Sequence, residues 1–214
     1  MKTKVKICGL STAETMRVAL DAGADFIGLV LFPPSPRNVS VAQAAQLAAL
    51  ARGRAKIVAL LVDADDDLIA AVASQVNPDY LQLHGDETPA RVAQVRQRWN
   101  IPVIKAIKVA TRDDARAALT FHGIADMILF DAKPPAGATR PGGHGTAFDW
   151  SVLDAVKAEI GAFMLSGGLD PDNVTEAIAA TGAPMVDVSS GVEIRRGEKS
   201  PDLIRRFLQA AKGL

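Results

Sequence analysis

The 214-residue chain has one cysteine, Cys8, so no disulfide can form within it. Aromatics make up only 5% of the residues, there are three His, and no cluster of Lys and Arg interleaves with aromatic side chains. Net charge is missing too, because 24 basic and 24 acidic side chains cancel. A nucleic-acid partner is therefore not expected. Long hydrophobic runs are also absent: "FIGLVLF" (26–32) stops at Pro33 and Pro34, far short of a bilayer's thickness, so no membrane partner is expected. The N-terminal "MKTKVKICGL" has basic residues but no apolar stretch of signal-peptide length. With a lone thiol, this predicts a cytoplasmic location.

What is present is a repeat. With 49% hydrophobic residues the chain can fill a sizeable core. Runs rich in Val, Ile and Leu over 4–8, 25–31, 56–62, 79–83, 102–107, 127–131, 162–166 and 185–189 read as strands. They alternate with Ala-rich stretches of helical spacing over 11–23, 41–51, 65–75, 88–99, 111–121, 149–159, 170–180 and 200–211. Ser11, Ser40, Thr111, Asp149, Asp170 and Ser200 stand where helix caps belong, with Pro171 and Pro201 suited to a first helical position. Eight strand–helix units without a linker predict an α/β chain forming a single-domain (β/α)8 TIM barrel over 1–214. An open doubly wound sheet is the rival, but "KICGLST" lacks the glycine-rich dinucleotide loop expected at its first turn.

In such a barrel the reactive groups sit at the C-terminal ends of the strands. Four residues qualify: Cys8 after strand 1, Arg37 after strand 2, His84 after strand 4 and Asp131 after strand 6. Each has a plain alternative. Cys8 can be a small buried hydrophobe, Asp131 a helix cap or a partner for Lys133, Arg37 a solvated loop charge, and His84 a turn residue. Lys6 shares a strand face with Cys8 at roughly 7 Å, where its ammonium would favour the thiolate. The loops after strands 7 and 8, "SGGL" (166–169) and "SSGVE" (189–193), suit a backbone phosphate site built from Gly167, Gly168, Ser190 and Gly191. The long stretch 132–150 reads as a ligand loop whose Gly142, Gly143 and Gly145 could add donors. "VDADDD" (62–67) fails as a calcium loop, since Leu68 and Ser74 fall where Gly and Glu are needed. The acids of 65–67 read instead as offsets to a helix dipole.

"KICGL", "LQLHGDE", "LFDAKPP…GGHGTAFDW", "SGGLDPDNV" and "DVSSGVE" resemble, in that order and over essentially the whole chain, the motifs of the phosphoribosylanthranilate isomerases of tryptophan biosynthesis. The resemblance implies an Amadori rearrangement of N-(5-phosphoribosyl)anthranilate to 1-(2-carboxyphenylamino)-1-deoxyribulose 5-phosphate, with no metal or organic cofactor. It implies Cys8 as general base, Asp131 as general acid, Arg37 on the anthranilate carboxylate and His84 near the substrate. The glycine loops would hold the phosphate, and the partner would be the small phosphoribosyl substrate alone, on a monomer or homodimer. Two departures stand out: His144 replaces the usual Thr of the GGTG motif, and Arg196-Gly197-Glu198-Lys199 replaces Pro-Gly-x-Lys. The competing readings are another phosphosugar isomerase or epimerase on the same barrel and a non-catalytic phosphoribosyl-binding protein. The first would be expected to carry a carboxylate at the end of strand 1, and the second would have no reason to keep both Cys8 and Asp131.

Overall fold

The structure is a computed structural model and describes residues 2–133 and 148–213. Eight parallel strands close into a barrel in sequence order: β1 (Lys4–Cys8), β2 (Phe26–Val30), β3 (Lys56–Leu61), β4 (Tyr80–Leu83), β5 (Val103–Val109), β6 (Met127–Ala132), β7 (Phe163–Leu165) and β8 (Met185–Val188), with β8 pairing back onto β1. This is the predicted (β/α)8 barrel. The register is regular, for example Lys6 opposite Phe26 on one side and Asp187 on the other.

Strand alternation sorts the side chains. Phe26, Val58, Ile104, Leu129, Met164 and Met185 pack together as the barrel's inner core. Intervening residues such as Ile7, Ile27, Ile57 and Phe130 pack outward against the helices. Stepping two residues from the inner core toward the C-terminal ends leads from Tyr80 to Gln82 and His84, from Leu129 to Asp131, from Met164 to Ser166 and from Met185 to Asp187. On β4, β6, β7 and β8 the lining thus changes from apolar to polar over a single pleat, and that upper layer, apolar only toward Val30 and Leu60, is the floor of the site.

The outer ring comprises α1 (Ala13–Asp21), α2 (Val41–Ala51), α3 (Asp66–Ala71), α4 (Pro89–Trp99), α5 (Arg112–Arg116), α6 (Lys157–Ile160), α7 (Val174–Thr181) and α8 (Pro201–Lys212). Several of these are shorter than the periodicity predicts. α3 widens into a π turn over Val72–Val76 that closes on Asn77 in the left-handed region. α5 tightens into a 3-10 segment over Ala117–Phe121, and α6 is preceded by another over Trp150–Ala155. Two cap assignments change. Thr12, not Ser11, caps α1, and the Ser11 carbonyl accepts from Gln43 instead. Asp170 caps the turn ahead of α7, accepting from the N–H groups of Asp172 and Asn173, so Pro171 lies in that turn and the helix starts at Val174. After β8, a 3-10 turn (Ser190–Val192) leads into a small antiparallel hairpin that the strand pattern does not announce, β9 (Glu193–Arg195) and β10 (Glu198–Lys199).

Candidate active site

Cys8 ends β1 with its side chain turned into the barrel mouth beside Val30 and Leu60, and it is only 3% exposed. Gly28 on the neighbouring strand makes room for it, since a Cβ there would lie 2.8 Å from the sulfur. Below it, Lys6 is fully buried and donates to Asp187 Oδ1 at 3.0 Å, while Ser166 Oγ donates to Asp187 Oδ2 at 3.3 Å. Burial pulls the Lys6 ammonium down, but the charges of Asp187 and Cys8 outweigh it and raise its pKa. Lys6 favours the thiolate, as expected, but does not decide the outcome. Burial pushes Cys8 up, Lys6 opposes this, Asp187 reinforces it, and the net shift is upward. The reason is that a thiolate buried this deeply loses its hydration, an effect larger than the pull of the ammonium.

Across the mouth, Asp131 is buried at the end of β6 and bonded to His84. Gln82 Nε2 lies 2.9 Å from His84 Nδ1. With the amide nitrogen as donor, the imidazole proton sits on Nε2 and is donated to Asp131 Oδ2 at 3.1 Å. Gln82 Oε1 has no partner among the described residues. Turning the amide over would place that oxygen on Nδ1–H and leave Nε2 as acceptor for a protonated Asp131, so one side chain serves either tautomer. The Asp131–Lys133 pairing weighed from the sequence does not form, because Lys133 bonds Asp114.

Arg37 is not a solvated loop charge. It is 5% exposed, its stem lies against Gly9, where an added Cβ would fall 2.6 Å from Arg37 Cδ, and its guanidinium makes a bidentate pair with Glu193. Glu193 also accepts from Lys199, a buried lysine whose pKa burial lowers to about 8. Neither Glu193 nor Lys199 is marked by a spacing rule, although both lie just beyond the "SSGV" turn.

The glycines after β7 and β8 are required by packing as much as by any anion. Gly167 (φ 88°) has no room for a Cβ, which would meet Ala132 Cβ at 2.8 Å and press on the Ala132 backbone. At Gly191 a Cβ would press on the Leu169 carbonyl and lie 2.9 Å from Asp170 Cα. Gly168 is also left-handed (φ 68°), with its carbonyl accepting from Asn173 Nδ2. The end of β6 and the loops after β7 and β8 therefore lock against one another and bring Gly167, Gly168, Ser190 and Gly191 to one side of the rim. Gly142, Gly143, His144 and Gly145 lie outside the described residues.

A thiol, a carboxyl bonded to an imidazole, and a buried guanidinium lie around one rim, flanked by glycine loops after the last two strands, at the end of the barrel where (β/α)8 enzymes carry their active sites. A family profile described as N-(5'-phosphoribosyl)anthranilate (PRA) isomerase matches residues 5–210, and the N-(5'-phosphoribosyl)anthranilate isomerase of Rhodopseudomonas palustris (strain BisA53) is 55% identical over 212 residues, 99% of this chain and 97% of its own. The chain belongs to the phosphoribosylanthranilate isomerase family, isomerases of tryptophan biosynthesis. Solved relatives agree. The crystal structure of the Thermotoga maritima phosphoribosylanthranilate isomerase superposes with a TM-score of 0.90 at 35% identity, covering 99% of this chain and 100% of that one. A structure of a phosphoribosylanthranilate isomerase in complex with reduced 1-(o-carboxyphenylamino)-1-deoxyribulose 5-phosphate superposes at 0.87 with 34% identity and the same coverage.

Proposed function

We propose that this chain converts N-(5-phosphoribosyl)anthranilate to 1-(2-carboxyphenylamino)-1-deoxyribulose 5-phosphate, with Asp131 as general acid and Cys8 as general base. The observation that carries the assignment is the placement of a buried thiol at the end of β1 and a His84-bonded carboxyl at the end of β6 on one barrel mouth. Asp131 delivers a proton to the ribose ring oxygen, the ring opens to an iminium, and the C2 proton becomes acidic. The Cys8 thiolate takes that proton and leaves an enolamine, which tautomerises to the ketone. One proton must then return from Cys8 to Asp131, and His84, on Asp131, is placed to handle it. Because the resting thiol is raised by burial, the thiolate is a minor species, favoured by the charge of the Lys6 ammonium. The iminium lowers the basicity needed, so a thiolate suffices without metal or organic cofactor.

Arg37 takes the ring carboxylate, and His84 also borders the substrate. Backbone N–H groups at Gly167, Gly168, Ser190 and Gly191 take the phosphate, joined by Gly142, Gly143 and Gly145. A cytoplasmic location fits a small phosphorylated substrate, and among the described residues no helix is long and apolar enough to cross a membrane. The test is to add purified protein to fresh phosphoribosylanthranilate and follow its anthranilate-type fluorescence. Accelerated decay is expected; decay no faster than the spontaneous rate, beside an active control enzyme, overturns the reading.

A further inference from the structure

A guanidinium has two edges that can each hold a carboxylate in a fork, and in Arg37 one is filled from within the protein. Nε donates to Glu193 Oε1 at 2.6 Å and Nη2 to Oε2 at 2.8 Å. The other edge, Nη1 with the second N–H of Nη2, makes no bond among the described residues. Glu193 is itself held from two further directions: Lys199 Nζ donates to Oε1 at 2.8 Å and the Gly197 N–H to Oε2 at 3.1 Å. Lys199 also donates to the Ser189 carbonyl at 2.8 Å, and Ser189 Oγ donates to the Cys8 carbonyl at 3.2 Å. A continuous chain of polar contacts thus runs from the base of the loop after β2, through the β9–β10 hairpin, to the backbone of Cys8.

The charge balance of this cluster points outward. Burial acts to raise the Glu193 pKa, but the bonds and charges of Arg37 and Lys199 outweigh it and hold the carboxyl below its ordinary value, so it is ionised. Arg37 and Lys199 against Glu193 leave one positive charge in a region where both Arg37 and Glu193 are about one-twentieth exposed. The unbonded guanidinium edge is where a ligand carboxylate would balance that charge.

We infer that Glu193 is a positioning residue for substrate recognition: it clamps the inner edge of Arg37 so that the outer edge is presented to the ring carboxylate, with Lys199 as its counter-charge. This rests on the assignment of Arg37 to that carboxylate. Glu193 does not touch the ligand, and its effect passes through Arg37. A ligand lacking the carboxylate gains nothing from the clamp, so Glu193 sets specificity more than rate.

The test compares wild type, Arg37→Ala, Glu193→Gln and Glu193→Asp in steady-state kinetics. It adds inhibition by reduced product, by its analogue without the ring carboxylate, and by inorganic phosphate. Wild type is expected to favour the carboxylate-bearing inhibitor, and Arg37→Ala to lose that preference; if it does not, the assignment of Arg37 fails whatever Glu193 does. Glu193→Gln removes the clamp's charge, and is expected to raise KM about tenfold with kcat within about threefold and to shrink the inhibitor preference in step. Phosphate inhibition should stay as in wild type. Glu193→Asp keeps the cluster's charge balance, which protects folding, but shortens the reach, and should move KM and preference the same way. The inference is overturned if Arg37→Ala loses the preference while both Glu193 variants keep it. It is equally overturned if phosphate inhibition weakens in proportion, which marks a general loss of order in the loop after β8.

Discussion

Replacing Cys8 by Ser changes one atom and separates two roles for that position. The site is apolar on the side of Val30 and Leu60 and polar below, where Lys6 already donates to Asp187. A hydroxyl buried there exchanges a weakly polar thiol for a group that needs a partner. Lys6 has ammonium hydrogens to share, so the cost is at the low end for a buried hydroxyl, about 1 kcal/mol. For a chain of this size that lowers Tm by about 2–4 °C. Against a typical stability of roughly 5–15 kcal/mol, the folded fraction at room temperature stays above about 99%, so unfolding contributes nothing measurable to activity. Loss of a general base, by contrast, costs about 10²- to 10⁴-fold in kcat, or about 3–5 kcal/mol of barrier. The assay is fluorescence decay of phosphoribosylanthranilate under saturating substrate, with melting followed by circular dichroism on the same sample. A kcat within tenfold of wild type in protein with the expected small Tm shift would refute the reasoning and return Cys8 to a small buried residue at a strand end.

Asp131→Asn keeps the shape and the His84 contact but has no carboxylic proton, so kcat should fall by about 10²- to 10⁴-fold with KM little changed; wild-type turnover would mean another group supplies the proton. Iodoacetamide should alkylate the single thiol at a rate that climbs through pH values above 9.0, because burial raises the Cys8 pKa past that value, and bound product should protect. A rate already level at neutral pH would contradict this. Lys6→Met strands a buried Asp187 and should cost about 3–5 kcal/mol in chemical denaturation. Since the Lys6 pKa is raised above 10.5, its contribution is fully present below that value and lost as pH rises through the folded one; the wild-type advantage should therefore hold at neutral pH and shrink only in strong alkali. Gly191→Ala presses a methyl onto the Leu169 carbonyl, so Tm and phosphate inhibition should fall together at a cost of about 1–3 kcal/mol; an unchanged melt would show that the loops after β7 and β8 are not locked.

The barrel and the identity of its rim residues were legible in the linear chain, and the reason is local. A buried parallel strand needs a short run of branched apolar residues, a covering helix needs a longer run of period 3.6, and both are properties of neighbouring residues. Alternation along 4–8 already put Lys6 on the face of Cys8, and loop glycines marked the ends of 162–166 and 185–189. Helix interiors were less legible: the run 111–121 looks uniform, yet it is α only to Arg116 and 3-10 beyond, because packing on the barrel rather than propensity sets the pitch there.

The electrostatic character of the site was not in the sequence at all. Lys6 meets Asp187 across 181 positions and Arg37 meets Glu193 across 156, pairings that exist only because closing the barrel sets β8 beside β1 and carries the segment after β8 onto the loop after β2. From sequence, Lys6 near Cys8 suggests an ionised thiol, and glycines near a rim suggest only an anion. Closure adds burial and then Asp187 to the first, and the Leu169 carbonyl to the second. The local pattern determined which side chains face the barrel mouth; tertiary contact decided their charge states, because desolvation and pairing depend on what lies across the barrel rather than along the chain.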